Sequence, residues 1–144
     1  MLKCVVIYNP NSGKLSNRDD IKKIYKILEN YGYETEIKYT EYKGHAKEIT
    51  MSLKDVDLLL CAGGDGTLNE VISGNIERKK KILLGHLPLG SVNDVAHMYG
   101  MSNNTINNIA MLLNGKQKNI DVCLLNDSPF VYVACIGAYV DISY

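Results

Sequence analysis

An excess of charge of either sign is missing from this 144-residue chain: sixteen lysines and arginines balance sixteen aspartates and glutamates. That neutrality removes the electrostatic basis for gripping a polyanion, so nucleic acid is not an expected partner. Long apolar runs are missing as well, and none approaches the roughly 18 residues that a membrane-spanning helix needs. The stretch Met1–Tyr8 is too short for a signal peptide and is broken by Asn9-Pro10 with no cleavage pattern after it, so a cytoplasmic location is expected. Cys4, Cys61, Cys123 and Cys135 form no C-x-x-C pair and have no histidine at ligand spacing. Each falls in an apolar, strand-like segment, which predicts buried thiols, no disulfide and no zinc site. Internal repeats, low-complexity stretches and flexible linkers are absent. Neither Gly-x-x-x-x-Gly-Lys-Ser/Thr nor a Gly-x-Gly-x-x-Gly after the first strand occurs, which excludes the usual P-loop and the dinucleotide fingerprint.

What is present is an alternation of strand-like and helix-like segments. Lys3–Tyr8, Tyr33–Tyr39, Asp57–Ala62 and Ile82–Leu87 read as strands. Asp19–Tyr31 reads as a helix with Ile21, Ile24, Tyr25, Leu28 and Tyr31 on one face, ended by Gly32. Gly44–Leu53, Thr67–Ser73 with Gly74 as its cap, Val95–Tyr99 and Thr105–Leu113 read as further helices. The pattern predicts an α/β fold, an open and mostly parallel sheet with helices on both faces. It changes after residue 117: Lys118–Leu125, a turn at 126–129 and Phe130–Val140 read as strand, turn, strand. We therefore expect an α/β domain over 1–117 and the start of a second, β-rich domain over 118–144. Arg78-Lys79-Lys80-Lys81 reads as a solvated loop in preference to a membrane or phosphate contact.

The most informative segment is Gly63-Gly64-Asp65-Gly66-Thr67, set between a buried strand and a helix. Glycines without Cβ let the chain adopt positive φ and bring amides close to an anion, and the following helix adds the positive end of its dipole. An aspartate in such a loop would repel phosphate by itself, so a divalent cation between the two is expected. In an open parallel sheet, ligands bind beyond the carboxyl ends of the strands. Two further polar loops leave strands at that end, Asn9-Pro10-Asn11-Ser12-Gly13-Lys14 and Leu89-Gly90-Ser91-Val92-Asn93-Asp94, and Thr40 ahead of Gly44-His45-Ala46 leaves a fourth. Asp94 reads equally as a helix N-cap, Asn93 as a turn residue, Glu70 as dipole complement on its own helix, and Lys14 as a solvated or phosphate-facing charge. His45 and His97 sit on helices in no cluster, His86 interrupts a strand and reads as a hydrogen-bonded core or edge histidine, and none of the three has an assigned catalytic role.

Asn9-Pro10-Asn11-Ser12-Gly13, Gly63-Gly64-Asp65-Gly66-Thr67-Leu68-Asn69-Glu70 and Pro88-Leu89-Gly90-Ser91-Val92-Asn93-Asp94 together resemble the three signature segments of the diacylglycerol kinase catalytic domain. That family includes bacterial soluble lipid kinases and the sphingosine and ceramide kinases. The middle segment is also used by NAD kinases and phosphofructokinases, which are expected to share the fold of this lobe. The resemblance implies that Asn9, Pro10, Asn11, Ser12, Gly13, Thr40, Gly63, Gly64, Asp65, Gly66, Thr67, Leu68, Asn69 and Ser91 line an ATP site. It implies that Asp65 and Asp94 organise a magnesium ion through water. Ser91 stands where threonine is commoner, and the hydroxyl is kept.

Phosphoryl transfer needs the phosphates held and their charge neutralised, and a base for the acceptor hydroxyl. This chain carries the first set. In the family a second lobe, a β-sandwich, supplies the general-base aspartate and much of the lipid cleft. The resemblance therefore implies the ATP-binding half of a kinase of a lipid alcohol such as diacylglycerol, peripheral to a membrane and weakly active or inactive alone. Phe130–Val140, an apolar strand without partners, is expected to self-associate. Three alternatives stay open: a kinase of a soluble substrate (NAD or a sugar phosphate), a non-catalytic nucleotide-binding module, and a plain flavodoxin-like binding domain.

Overall fold

Four parallel strands carry the molecule; Leu2–Tyr8 and Leu58–Gly63 turn apolar side chains to both faces of one sheet, while the edge strand Tyr33–Tyr39 alternates apolar with polar. The computed structural model describes residues 1–13 and 18–131. In chain order its elements are β1 (Leu2–Tyr8), α1 (Arg18–Asn30), β2 (Tyr33–Tyr39), α2 (His45–Ser52), β3 (Leu58–Gly63), α3 (Asp65–Glu77), β4 (Leu83–Pro88), α4 (Asp94–Met98), α5 (Thr105–Asn114), β5 (Cys123–Leu125) and β6 (Ser128–Phe130). The sheet runs β2-β1-β3-β4, with Tyr8 level with Ala62 and Gly63 level with Pro88. The expected α/β architecture is what the chain adopts.

Period-two alternation divides the strand residues between two cores. Val5 and Ile7 of β1 and Leu59 and Cys61 of β3 face α2 and α3, where they meet Ala46, Ile49, Leu68, Val71 and Ile72. Cys4, Val6 and Tyr8, with Leu58, Leu60 and Ala62, face α1 and α5, where they meet Ile21, Ile24, Leu28 and Ile109. Leu59, Leu60, Ile24, Leu28 and Ile109 are fully buried, and each such side chain contributes about 1.5–3 kcal/mol through removal from water. Tyr25 and Tyr31, expected on the buried face of α1, stay partly exposed.

Helix α3 is longer than expected at both ends. Gly74 does not cap it but lies inside it, where a Cβ would stand 2.7 Å from the Lys47 carbonyl oxygen and 2.9 Å from Thr50 Cβ. The residue is small because α2 packs directly on it. The Arg78–Lys81 run is likewise not merely a solvated loop. The Arg78 guanidinium donates to the carbonyls of Thr50 and Leu53, both at 2.8 Å, and so closes the C-terminus of α2. Lys81 donates to the Ile76 carbonyl at 2.6 Å and to that of Arg78, closing α3. Both cations sit where helix-end carbonyls and dipoles attract them.

Beyond α5 the described residues form a two-stranded antiparallel hairpin whose first strand starts at Cys123 instead of Lys118 and whose turn is Asn126 and Asp127 alone, both at positive φ. Val122 and Val131 pack against the α2–α3 core. Cys4 and Cys61 are buried thiols as expected, and burial pushes the Cys4 thiol up to about 12 and that of Cys61 up as well. Cys123 departs from the expectation and is exposed, because a two-stranded hairpin has one face in solvent. Cys135 and most of the Phe130–Val140 strand lie outside the described residues. Among the described residues no helix is long and apolar enough to cross a membrane.

Candidate functional site

β1 and β3 are neighbours whose onward connections diverge, one to β2 and one to β4, and this opens a crevice between their carboxyl ends. The loop after β1 folds on itself around Asn9. Its Oδ1 accepts from the Asn11 amide at 3.0 Å, its Nδ2 donates to Thr67 Oγ1 at 2.9 Å, and its own amide donates to the Ala62 carbonyl at 3.0 Å. Asn9 thus builds the loop and ties it to α3, leaving the backbone and the Ser12 hydroxyl to face the crevice. Ser12 Oγ accepts from the Gly64 amide at 3.3 Å. Gly13, at φ +78°, could carry no side chain, since a Cβ would collide with the Leu89 carbonyl oxygen. Lys14 lies outside the described residues.

The Gly63–Thr67 segment is glycine-rich for a reason other than the expected one. None of its glycines takes a positive φ; Gly64 is extended, and α3 begins at Asp65. Gly63 and Gly64 are required by space. A Cβ on Gly63 would lie 2.8 Å from Thr67 Cβ, and one on Gly64 would lie 3.2 Å from the Gly90 Cα. A Cβ on Gly90 would in turn lie 2.6 Å from the Gly64 Cα, so the loops after β3 and β4 touch backbone to backbone. Gly66 is different. It is exposed and helical, and among the described residues no heavy atom lies within 4 Å of a Cβ, so no described part of the protein demands a glycine there.

Two carboxylates of α3 hold the helices on either side of it. Asp65 accepts from the Asp94 amide at 2.9 Å and the Val95 amide at 3.1 Å, which caps α4. Glu70 accepts from the Gly44 amide at 2.8 Å and the Ala46 amide at 3.3 Å, which caps α2. Because α3 begins at Asp65, Glu70 lies past the first turn of its own helix and complements the neighbouring α2 instead, a role that spacing along one chain segment does not reveal. Asp94 is not an N-cap: Asn93 holds that position in the left-handed region, with its side chain bonded back to both polar groups of Gly90 at 2.8 and 2.6 Å. The turn reading of Asn93 is the one realised. Helix α5 is capped by Asn104, whereas α3 has no side chain on its first amides. Among these four helices it alone presents an uncapped N-terminus, and it presents it at the crevice.

The other expected residues divide. Thr40 is buried beside the rim, its amide bonded to the Tyr8 carbonyl at 2.9 Å. Thr67 is buried with its hydroxyl in the Asn9 bond, Asn69 is half-buried, Pro10 flanks the rim, and Ser91 is exposed on the loop after β4. Leu68 does not reach the rim: its side chain lies in the core and its amide bonds the Gly64 carbonyl. Gly90 and His86 were not among the expected site residues. His86 lies on β4 level with Cys61, and its Nε2 bonds the Gly63 carbonyl at 3.0 Å. Burial depresses its pKa, against the opposing pull of the Gly63 carbonyl and the Asp65 charge. The adjacency of small residues in loops leaving neighbouring strands was the available signal for Gly90; His86, a histidine interrupting an apolar strand, read as a hydrogen-bonded core or edge residue, and that is what it is.

The donor set fits a cation carried by a ligand's phosphates and not a protein cage. Both Asp65 oxygens already hold amides, and among the described residues no three His, Cys, Asp or Glu side chains group around a common point.

Comparison with known proteins gives a consistent result. The family model described as the diacylglycerol kinase catalytic domain matches residues 3–125. The chain is 35% identical to a diacylglycerol kinase of Staphylococcus haemolyticus, with all of this chain and 44% of that protein covered. It is 34% identical to diacylglycerol kinase of Staphylococcus aureus, over 96% of this chain and 45% of that one. Among solved structures it is similar to a putative diacylglycerol kinase from Bacillus anthracis, with TM-score 0.80, 26% identity, and 89% of this chain and 47% of that chain covered. The chain thus spans about half the length of the relatives it matches.

Proposed function

The chain belongs to the diacylglycerol kinase catalytic domain family, and from that premise we propose that residues 1–117 form the ATP-binding part of a lipid kinase. The acceptor is the hydroxyl of a membrane lipid alcohol such as diacylglycerol, reached from the membrane surface. Residues 118–144 begin a second β domain, and the ATP-binding part alone transfers phosphate weakly or not at all.

One observation carries this reading: Gly66, in the first turn of a helix with no N-terminal cap, leaves open a space that no part of the described protein fills. A γ- or β-phosphate placed there accepts from the α3 amides at the positive end of the dipole. The Ser12 hydroxyl and the Thr67 hydroxyl, each already accepting one hydrogen bond, have a proton left to donate. Asp65 keeps α4 in place, and with it Asp94, whose carboxylate would help hold a magnesium ion carried by the phosphates. Magnesium, when bound with the nucleotide, neutralises phosphate charge and fixes the phosphate tail. The backbone groups around that charge are already held by Asn9, Asn93 and Asp65, so little reorganisation of the main chain accompanies binding.

Titration calorimetry of the chain with ATP and magnesium tests the reading. Saturable one-to-one binding that weakens when magnesium is withheld is expected; no heat at millimolar nucleotide would overturn it. Adding NAD or a sugar phosphate as acceptor distinguishes the soluble-substrate alternative, for which turnover with these would be seen.

A further inference from the structure

We propose that His86 is a positioning residue: it pins the Gly63–Gly64 peptide with its N–H turned into the β1–β3 crevice, and anion affinity at the site depends on that pinning. The dependence on anion affinity rests on the nucleotide reading above; the pinning itself does not.

Two glycines in succession have no side chain to oppose rotation of the peptide between them. In the other orientation that peptide would present its carbonyl oxygen to the crevice, where it repels an anion. Two donors hold the carbonyl on the β4 side. The Leu89 amide reaches the Gly63 oxygen at 3.0 Å, and the His86 ring reaches the same oxygen at 3.0 Å through Nε2. A carbonyl can only accept, so Nε2 carries the proton in the neutral ring. The peptide is trans, as are all those described, so the Gly64 N–H points away from β4 and towards the first loop. There it meets Ser12 Oγ at 3.3 Å, a long bond that an incoming phosphate oxygen can replace.

Packing does not explain an imidazole at this place. His86 is 8% exposed, and its Nδ1 is buried without a hydrogen-bond partner among the described residues. A buried polar atom left unpaired is unfavourable, and an aliphatic side chain would avoid it. The one thing the ring does that an aliphatic residue cannot is donate to Gly63.

His86→Leu removes the donor, and His86→Gln keeps one, since the amide nitrogen can stand near the place of Nε2. Two quantities are read on the full chain: the Gly64 amide resonance in ¹⁵N–¹H correlation spectra, and the Kd for magnesium·ATP by calorimetry. In His86→Leu the Gly64 resonance shifts with faster solvent exchange, and Kd rises about tenfold, the loss expected when one oriented amide no longer meets a charged acceptor. In His86→Gln both return to within about threefold of the parent value. Unchanged Gly64 resonance and Kd in His86→Leu overturn the proposal. So does a His86→Gln that folds stably yet resembles the leucine variant, because the ring would then act by shape alone. Should the leucine variant not fold, His86→Met takes its place. A parent chain that binds no magnesium·ATP would refute the nucleotide reading, and the Gly64 resonance would then decide the pinning by itself.

Discussion

Substituting Gly66 separates what the fold requires from what a ligand requires. The residue is helical, its φ is not positive, and a Cβ built on it meets no heavy atom of the described residues within 4 Å. Gly66→Ala therefore brings no clash. It reduces the freedom of the unfolded chain and suits the helix, so the protein gains about 0.4–1 kcal/mol of stability. For a chain of this size that is about 1–4 °C in Tm. The same methyl occupies the space over the first amides of α3. If one charge-assisted hydrogen bond to phosphate is lost, about 1.5–3 kcal/mol of binding goes with it, or a Kd for magnesium·ATP about 10- to 100-fold weaker. Differential scanning fluorimetry and calorimetry on one preparation give both numbers. A variant that is stabilised and still binds with the parent affinity refutes the reasoning, because the open space would then have no use. A destabilised variant refutes it from the other side, because the space would not be open.

Gly90→Ala is expected to destabilise the chain by about 1–3 kcal/mol in urea unfolding, through overpacking of two backbones; the added Cβ would lie 2.6 Å from Gly64 Cα and 2.7 Å from Asn93 Oδ1, and an unmoved midpoint would contradict the contact. Arg78→Met is expected to lose about 1–2 kcal/mol and to speed amide exchange in the last turn of α2, with magnesium·ATP affinity unchanged. A lower affinity with intact stability would instead make Arg78 a ligand contact. His86 predicts a pH dependence. Burial depresses its pKa below the ordinary 6.5, so below that pH the unfolded chain binds more protons than the folded one. Stability is then fully present above pH 6.5 and declines as pH falls below it. The decline attributable to this ring is absent in His86→Gln, and equal acid sensitivity of the two chains between pH 7 and 5 would contradict it.

The parts of this molecule that were legible in the sequence are those whose signal is local. β2 was read at its observed bounds, Tyr33–Tyr39, because alternation along one strand reports burial directly. The gathering of loops after β1, β3 and β4 at one end followed from taking the sheet as parallel; the order of the strands did not. What the sequence did not reveal depends on contacts between segments distant along the chain. Gly74 looks like a stop signal and is instead a close contact with Thr50 of α2. Glu70 looks like a complement to its own helix, and Arg78 and Lys81 look like solvated charges; all three are instead helix caps, Glu70 and Arg78 for a helix 24 to 28 residues away. Gly63 and Gly64 look like residues chosen for positive φ and are instead chosen for clearance against Thr67 and Gly90. Asn9 and Asp65 look like ligands and have protein partners on both ends of their side chains. In each case the residue type was informative, and the identity of the partner was not.

The central claim is that the rim between β1 and β3 receives the phosphates of a nucleotide on backbone amides. A ¹⁵N–¹H spectrum of the chain, titrated with magnesium·ATP, tests it directly. The account predicts saturable shifts greatest at the amides of Ser12, Gly64, Gly66 and Thr67, with those around Tyr25 and Glu34 at the opposite end of the sheet unmoved. Shifts that scatter over the surface without saturating, or that leave Gly64 and Gly66 in place, would contradict it.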